Sequence, residues 1–143
     1  MTYEKNYQVR WADLDPNAHM KSVAYLEYAT HTRFAFLNDK GFGIAYLRKA
    51  AISPILFEER INFYRECPPQ EQITVNNVVV SLGSDGRKWH MKHEFHNASG
   101  ALCAVVSAKG AWFCLNERKV VAPPQEIFDA LSQLPIGEPT QLA

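Results

Sequence analysis

The spacing of apolar and polar positions changes along the chain, and each spacing predicts an element. Tyr7-Gln8-Val9-Arg10-Trp11 alternates, as a half-buried strand does. Asp13-Leu14-Asp15-Pro16-Asn17-Ala18-His19 gathers turn formers and reads as a loop. From Ser22 to Asn38 neither Pro nor Gly interrupts the chain, and Val23, Leu26, Thr30, Phe34 and Leu37 recur at helical spacing. Tyr25, Ala29 and Phe36 widen that stripe and leave Glu27, His31 and Asn38 as a narrow polar strip. This predicts a helix buried on most sides and stopped at Gly41, with a short second helix over Ile44 to Ala50.

After Pro54 the period becomes two, placing Ile55, Phe57, Ile61 and Phe63 on one face of a long strand that ends at Pro68-Pro69. Ile73 to Leu82 is rich in β-branched residues, and Gly83-Ser84-Asp85-Gly86 turns the chain. Arg87 to His96 alternates, with Trp89, Met91 and Phe95 on one side and Lys88, His90, Lys92, Glu94 and His96 on the other. After the Asn97-Ala98-Ser99-Gly100 turn, Ala101 to Leu115 is apolar on both faces, as a central strand is. Pro123-Pro124 opens a terminal helix over Gln125 to Leu134, and residues 136–143 read as a loose tail. The order of strand, long helix and further strands gives an α+β fold: a long central helix wrapped by a curved antiparallel five-stranded sheet, one domain over residues 1–143.

Composition narrows the function. The chain has 143 residues with 15 Lys+Arg against 15 Asp+Glu, so it carries no net charge with which to grip nucleic acid phosphates. Neutrality also leaves little self-repulsion to oppose self-association. The three cysteines, Cys67, Cys103 and Cys114, include no C-x-x-C pair, which argues against a disulfide framework or a structural zinc and for a reducing, cytoplasmic compartment. The first residues hold no apolar signal segment, and the longest apolar run is too short to span a membrane.

The chemistry concentrates before the long helix, where Asp13, Asp15 and His19 meet the helix start. A helix N-terminus presents unpaired N–H groups and partial positive charge, and can hold a developing oxyanion. A carboxylate just upstream can then act as nucleophile or as base for water. The plainer reading is turn chemistry, with Ser22 or Asp15 capping a helix.

Arg10-Trp11-Ala12-Asp13-Leu14-Asp15-Pro16-Asn17-Ala18-His19-Met20, followed by Tyr25, Tyr28 and Arg33, resembles the signature of the 4-hydroxybenzoyl-CoA thioesterase-like branch of the hotdog-fold acyl-CoA thioesterases. That signature runs approximately as D-x-D-x-x-G-H-V-N-N-x-x-Y-x-x-Y. Ala111 to Pro123 resembles the family's last strand and its exit. The resemblance implies an acyl-CoA thioesterase without a cofactor or metal. It implies Asp15 as the catalytic carboxylate, the Ser22 backbone N–H as oxyanion donor and His19 as a residue that shapes the site. It also implies a homodimer or homotetramer whose active sites lie between subunits. Two positions depart from it: Ala18 stands for the usual Gly, and Lys21-Ser22 for Asn-Asn. These departures keep a non-catalytic acyl-CoA or acyl-carrier-protein binding module as an alternative, beside a hotdog dehydratase or hydratase.

Among further candidates, Tyr25 is an acyl-pocket or core residue, and Arg87 and Lys88 are substrate-binding cations for CoA phosphates or part of a solvated strand face. Arg65 and Arg118-Lys119 rival them. Glu58 and Glu59 are second carboxylates or partners of Arg60 or Arg65, and His93 is a core histidine.

Overall fold

The computed structural model describes residues 1–141. Its first strand, β1 (Glu4–Gln8), leads through a single 3-10 turn at Trp11–Asp13 into the loop before α1 (Ser22–Asp39). Then come α2 (Ile44–Ala50), β2 (Ile52–Phe63), β3 (Gln72–Asn76), β4 (Val78–Ser81), β5 (Lys88–Asn97), β6 (Leu102–Cys114), the two-residue β7 (Lys119–Val120) and α3 (Gln125–Ser132). The strands form one antiparallel sheet in the order β1-β3-β5-β6-β2, so β1 and β2 are its edges. The path has the expected five strands. The predicted single strand over Ile73 to Leu82 is broken at Asn77, whose backbone N–H donates to Tyr3 O and whose Nδ2 donates to Thr32 O. Both halves, β3 and β4, pair with β5.

The sheet covers one side of α1, which lays Ala24, Tyr25, Tyr28, Ala29, Thr32, Phe36 and Leu37 against it. The all-round burial predicted for this helix is not seen within the chain: Val23 is 53% exposed and Phe34 41%. One core cluster joins Tyr25, Tyr28 and Ala29 to Phe95, Ala104 and Val106; a second joins Phe36 and Leu37 to Trp89, Met91 and Trp112, closed by Ile127 and Leu131 of α3.

In β2 the predicted common face fails at Phe57. The register runs Leu56↔Gly110 and then Glu58↔Lys109, so Phe57 is the extra residue of a β-bulge. An inserted residue reverses the alternation. Ile61 and Phe63 pair with Val106 and Ala104 on the α1 side, whereas Ile55 pairs with Ala111 on the outer face. Glu59, opposite Ala108, therefore turns inward, and Glu58 turns outward.

The tail expected to be loose from residue 136 is held where it starts. Val79 N–H donates to Pro135 O and Gly137 N–H to Val79 O, so Ile136 bridges β4. Arg60 Nη2 reaches Thr140 O at 3.3 Å, across the outer face of the sheet. Within the strip of Lys88, His90, Lys92, Glu94 and His96 the solvated face is covered only in part: Gly137 lies against the Lys92 stem, while Lys88 stays exposed. Leu142 and Ala143 lie outside the described residues.

Candidate active site

The two aspartates of the loop have different tasks. Asp13 is 1% exposed. Its Oδ2 accepts from Arg10 N–H at 2.9 Å and Arg10 Nε at 3.2 Å, its Oδ1 from Arg10 Nη2 at 2.8 Å, and the Tyr28 hydroxyl donates to Oδ2 as well. Burial pushes the Asp13 carboxyl up, but the bonds from Arg10 and Tyr28 outweigh it and hold the carboxyl below the ordinary carboxylate range. Asp13 is thus a saturated anchor. Its own carbonyl accepts from Lys21 N–H at 2.8 Å, which sets the residue before α1 in place.

Asp15 is left freer. Its Oδ1 accepts from Asn17 N–H at 2.8 Å and His19 N–H at 3.1 Å, an Asx turn that fixes the carboxylate's direction. Oδ2 takes no hydrogen bond from the described residues. The turn closes with Ala18 N–H on Asp15 O, and Ala18 adopts a left-handed φ of 59°. This is the conformation for which glycine is suited, so the loop keeps its shape despite the substitution.

At the start of α1, Ser22 and Val23 are exposed and their N–H groups meet no acceptor, because Lys21 is an extended N-cap without a side-chain cap bond. Asp15, His19 and Ser22 line one open cleft of about 520 Å³ with Phe63, Arg65 and Glu66. His19 Nε2 lies 3.0 Å from Glu66 Oε2, a pairing across 47 positions that no local pattern in the sequence announces. Tyr25 also reaches this cleft, but only as its floor: it is 1% exposed and packs edge-on to Phe63. Burial, with Cys67 beside it, drives the Tyr25 phenol well above its ordinary range.

Arg87 and Lys88 do not join the cleft of their own chain. Lys88 aligns through Ala111 with Ile55, whereas the cleft lies at the Phe63 end of β2. Arg87 folds back on Asp85, with Nε 3.2 Å from Oδ2. The cation that does reach the cleft is Arg65, whose N–H donates to Cys103 O at 3.0 Å. Arg118 instead stacks over Phe113. Cys67 and Cys103 are buried, and burial followed by the proximity of Cys67 pushes the Cys103 thiol up to about 12, so Cys103 is not a nucleophile. No group of three metal-ligating side chains occurs among the described residues.

A second cavity, of about 160 Å³, lies between α1 and the inner faces of β2, β5 and β6 and is lined by Thr30, Arg33, Phe34, Leu56, Trp89 and Trp112, among others. Arg33 Nη1 donates to His93 Nε2 at 3.0 Å, and His93 Nδ1 donates in turn to Asn76 O at 3.0 Å. Burial and the Arg33 cation depress the His93 imidazole to about 3, so it is the neutral core residue foreseen from its strand position. The cavity itself was not foreseen: its polar residues come from α1, β5 and β6, and Thr30, Trp89 and Trp112 each read locally as core.

No curated protein matches the chain. Solved structures do. A 1,4-dihydroxy-2-naphthoyl-CoA thioesterase from Synechocystis is 19% identical, with a TM-score of 0.83 over 93% of this chain and 97% of that one. A Staphylococcus aureus protein in complex with CoA is 17% identical, with a TM-score of 0.87 over 100% and 95%. A gentisyl-coenzyme A thioesterase is 18% identical, with a TM-score of 0.78 over 90% and 98%. These likenesses establish the hotdog fold. The model of the thioesterase-like superfamily matches residues 9–131, and the chain belongs to that superfamily.

Proposed function

We propose that the protein hydrolyses an acyl-CoA thioester to the free acid and CoA. One observation carries this reading: the Asp15 carboxylate, with one oxygen free, shares a cleft with the acceptor-less N–H groups that begin α1. The thioester carbonyl oxygen sits on the Ser22 N–H, where the helix terminus stabilises the oxyanion that forms on attack. Asp15 either takes the proton of an attacking water or attacks the carbonyl itself to give an anhydride that water then opens. In both routes the C–S bond breaks and sulfur leaves as thiolate, which needs little protonation. His19, braced by Glu66, borders the cleft, and Arg65 is the cation nearest to hand for a CoA phosphate. The superfamily match and the CoA-bound structural neighbour support acyl-CoA as the substrate.

A second copy of the chain completes the site in this reading. Edge strand β2 offers twelve residues of backbone without a partner on one side, flanked by exposed Leu56, Phe57 and Phe63 and by Val23 and Phe34 of α1. Two-fold pairing of β2 with its copy covers these groups and accounts for the uncovered face of α1. A dimer is the minimum assembly, and a dimer of dimers is compatible with it. The free cysteines suit a reducing, cytoplasmic compartment, and among the described residues no helix is long and apolar enough to cross a membrane.

The test is thiol release from short, long and aryl acyl-CoAs by wild type and Asp15→Asn. The variant should lose about 10²- to 10⁴-fold in kcat, the usual contribution of a positioned acid–base group, with unchanged circular dichroism and sedimentation. Wild-type turnover by Asp15→Asn refutes the role of Asp15. Tight acyl-CoA binding without thiol release turns the reading to a binding module, and an enoyl product turns it to a dehydratase.

A further inference from the structure

The cavity beside Arg33 is short of hydrogen-bond acceptors. The indole N–H groups of Trp89 and Trp112 are both buried without a partner, and both residues line the cavity. Arg33 lines it too, bonded only to two neutral groups, His93 Nε2 and Thr30 Oγ1, and no carboxylate forms an ion pair with it among the described residues. Its guanidinium lies 5.8 Å from the centre of the Trp89 ring, on the ring face. Glu59, also turned inward, gives Arg33 a counter-charge through space and keeps its own Oε2 buried without a partner, but it does not line the cavity. The remaining walls are apolar, including Phe34, Leu56 and Met91. Two unpaired donors in an apolar enclosure are costly until an acceptor arrives, and the Arg33 cation stands beside them. A cavity of this size holds about one benzene-sized ring.

We infer that this cavity receives the acyl group of the substrate, and that the acyl group is ring-sized and carries a carboxylate of its own, which binds Arg33 and the indole N–H groups. A carboxylate fits better than a phenol because it brings acceptors only, and the lining has donors to spare. This inference rests on the hydrolytic reading and on the paired β2 strands. Within one chain, the cavity wall at Pro54–Leu56 is about 25 Å along β2 from Phe63, taking ~3.3 Å per residue. Antiparallel pairing about the middle of β2 sets the partner's cavity wall opposite residues 59–61. The separation then falls to about 10 Å at the same rise per residue. The Asp15 cleft of one subunit and the cavity of its partner thus hold the two ends of one acyl group.

The experiment compares benzoyl-CoA, 4-hydroxybenzoyl-CoA and 4-carboxybenzoyl-CoA on the 143-residue protein. Beside them run the three uncleavable ketone analogues with a methylene between carbonyl and sulfur, whose binding is followed by tryptophan fluorescence. The carboxylated ring should be favoured over the plain ring roughly 10- to 100-fold, both in kcat/KM and in analogue affinity, as for a hydrogen bond to a charged group. Arg33→Met should bring both ratios towards one, while Arg33→Lys keeps part of each. Equal or weaker use of the carboxylated ring, preference for the hydroxylated one, a ratio that survives Arg33→Met, or no binding of any analogue overturns the inference. Cleavage without discrimination overturns it and spares the hydrolytic reading. Discrimination among analogues without cleavage of any thioester does the reverse. If Arg33→Met fails to fold, the wild-type ratios decide.

Discussion

Ala18 spends folding energy on a conformation that glycine adopts freely, so Ala18→Gly should stabilise the protein. At a φ of 59° an L-residue brings its Cβ too close to the following carbonyl. The cost is about 1–2 kcal/mol. Glycine removes this cost but carries about 0.5–1 kcal/mol of extra freedom in the unfolded chain. The net gain is about 0.5–1 kcal/mol, and at this chain length each kcal/mol raises Tm by roughly 2–4 °C. Ala51, the left-handed residue that ends α2, provides an internal control at a φ of 55°. Ala51→Gly should give a similar gain, and the two should add because the sites share no partner. Urea unfolding at pH 7 with calorimetric Tm measures both. If Ala18→Gly is neutral or destabilising while Ala51→Gly stabilises, the loop before α1 does not hold the left-handed turn, and the direction assigned to Asp15 falls with it.

Three further outcomes follow from buried groups. Tyr28→Phe removes the hydroxyl donor to the buried Asp13 carboxylate and should cost about 1.5–3 kcal/mol in urea unfolding; an unchanged midpoint refutes the anchoring role. His93 titrates at about 3 when folded, while its unfolded form binds a proton below about 6.5. Its contribution to stability is therefore complete above pH 6.5 and is lost on acidification, at up to about 1.4 kcal/mol per pH unit between those limits. His93→Gln should flatten that part of the pH–stability curve. Gly110→Ala would place a methyl group against Ile55 O and the Trp89 ring, and should destabilise by about 1–3 kcal/mol while shifting Trp89 emission; a wild-type melt with unaltered emission contradicts the packing described.

What could be read from the sequence depended on how local its cause was. The extent of α1 was legible because an uninterrupted run from Ser22 is closed by Gly41, and β5 was legible because its alternation is unbroken. The phase of β2 was not, since a bulge leaves no mark in composition: Phe57 looks like any inward aromatic. Period-two reasoning correctly placed Lys88 on the outer face, but it carries no information on position along the sheet, and Arg65 rather than Arg87 lines the cleft of Asp15. Asp13 and Asp15 look equivalent as letters. The family resemblance singles out Asp15 and leaves Asp13 to order the loop, and Tyr28, fifteen positions away, gives the physical reason by closing on Asp13. The cavity of Arg33, Trp89 and Trp112 exists only after three distant elements meet.

The bulge at Phe57 also bears on how large an assembly can grow. A long, flat edge strand is a template for open-ended stacking, chain upon chain. β2 is long but not flat: the extra residue near its midpoint sharpens the local twist and breaks the regular ladder. In the proposed two-fold pairing a mate would bring its own bulge to the same point, so that the two irregularities would face each other. An incoming strand at any other offset meets a mismatch. The opposite edge, β1, is only five residues long. In the proposed pairing, one residue inserted in the edge strand would thus make association self-limiting, closing at a pair where an uninterrupted strand would invite a fibre.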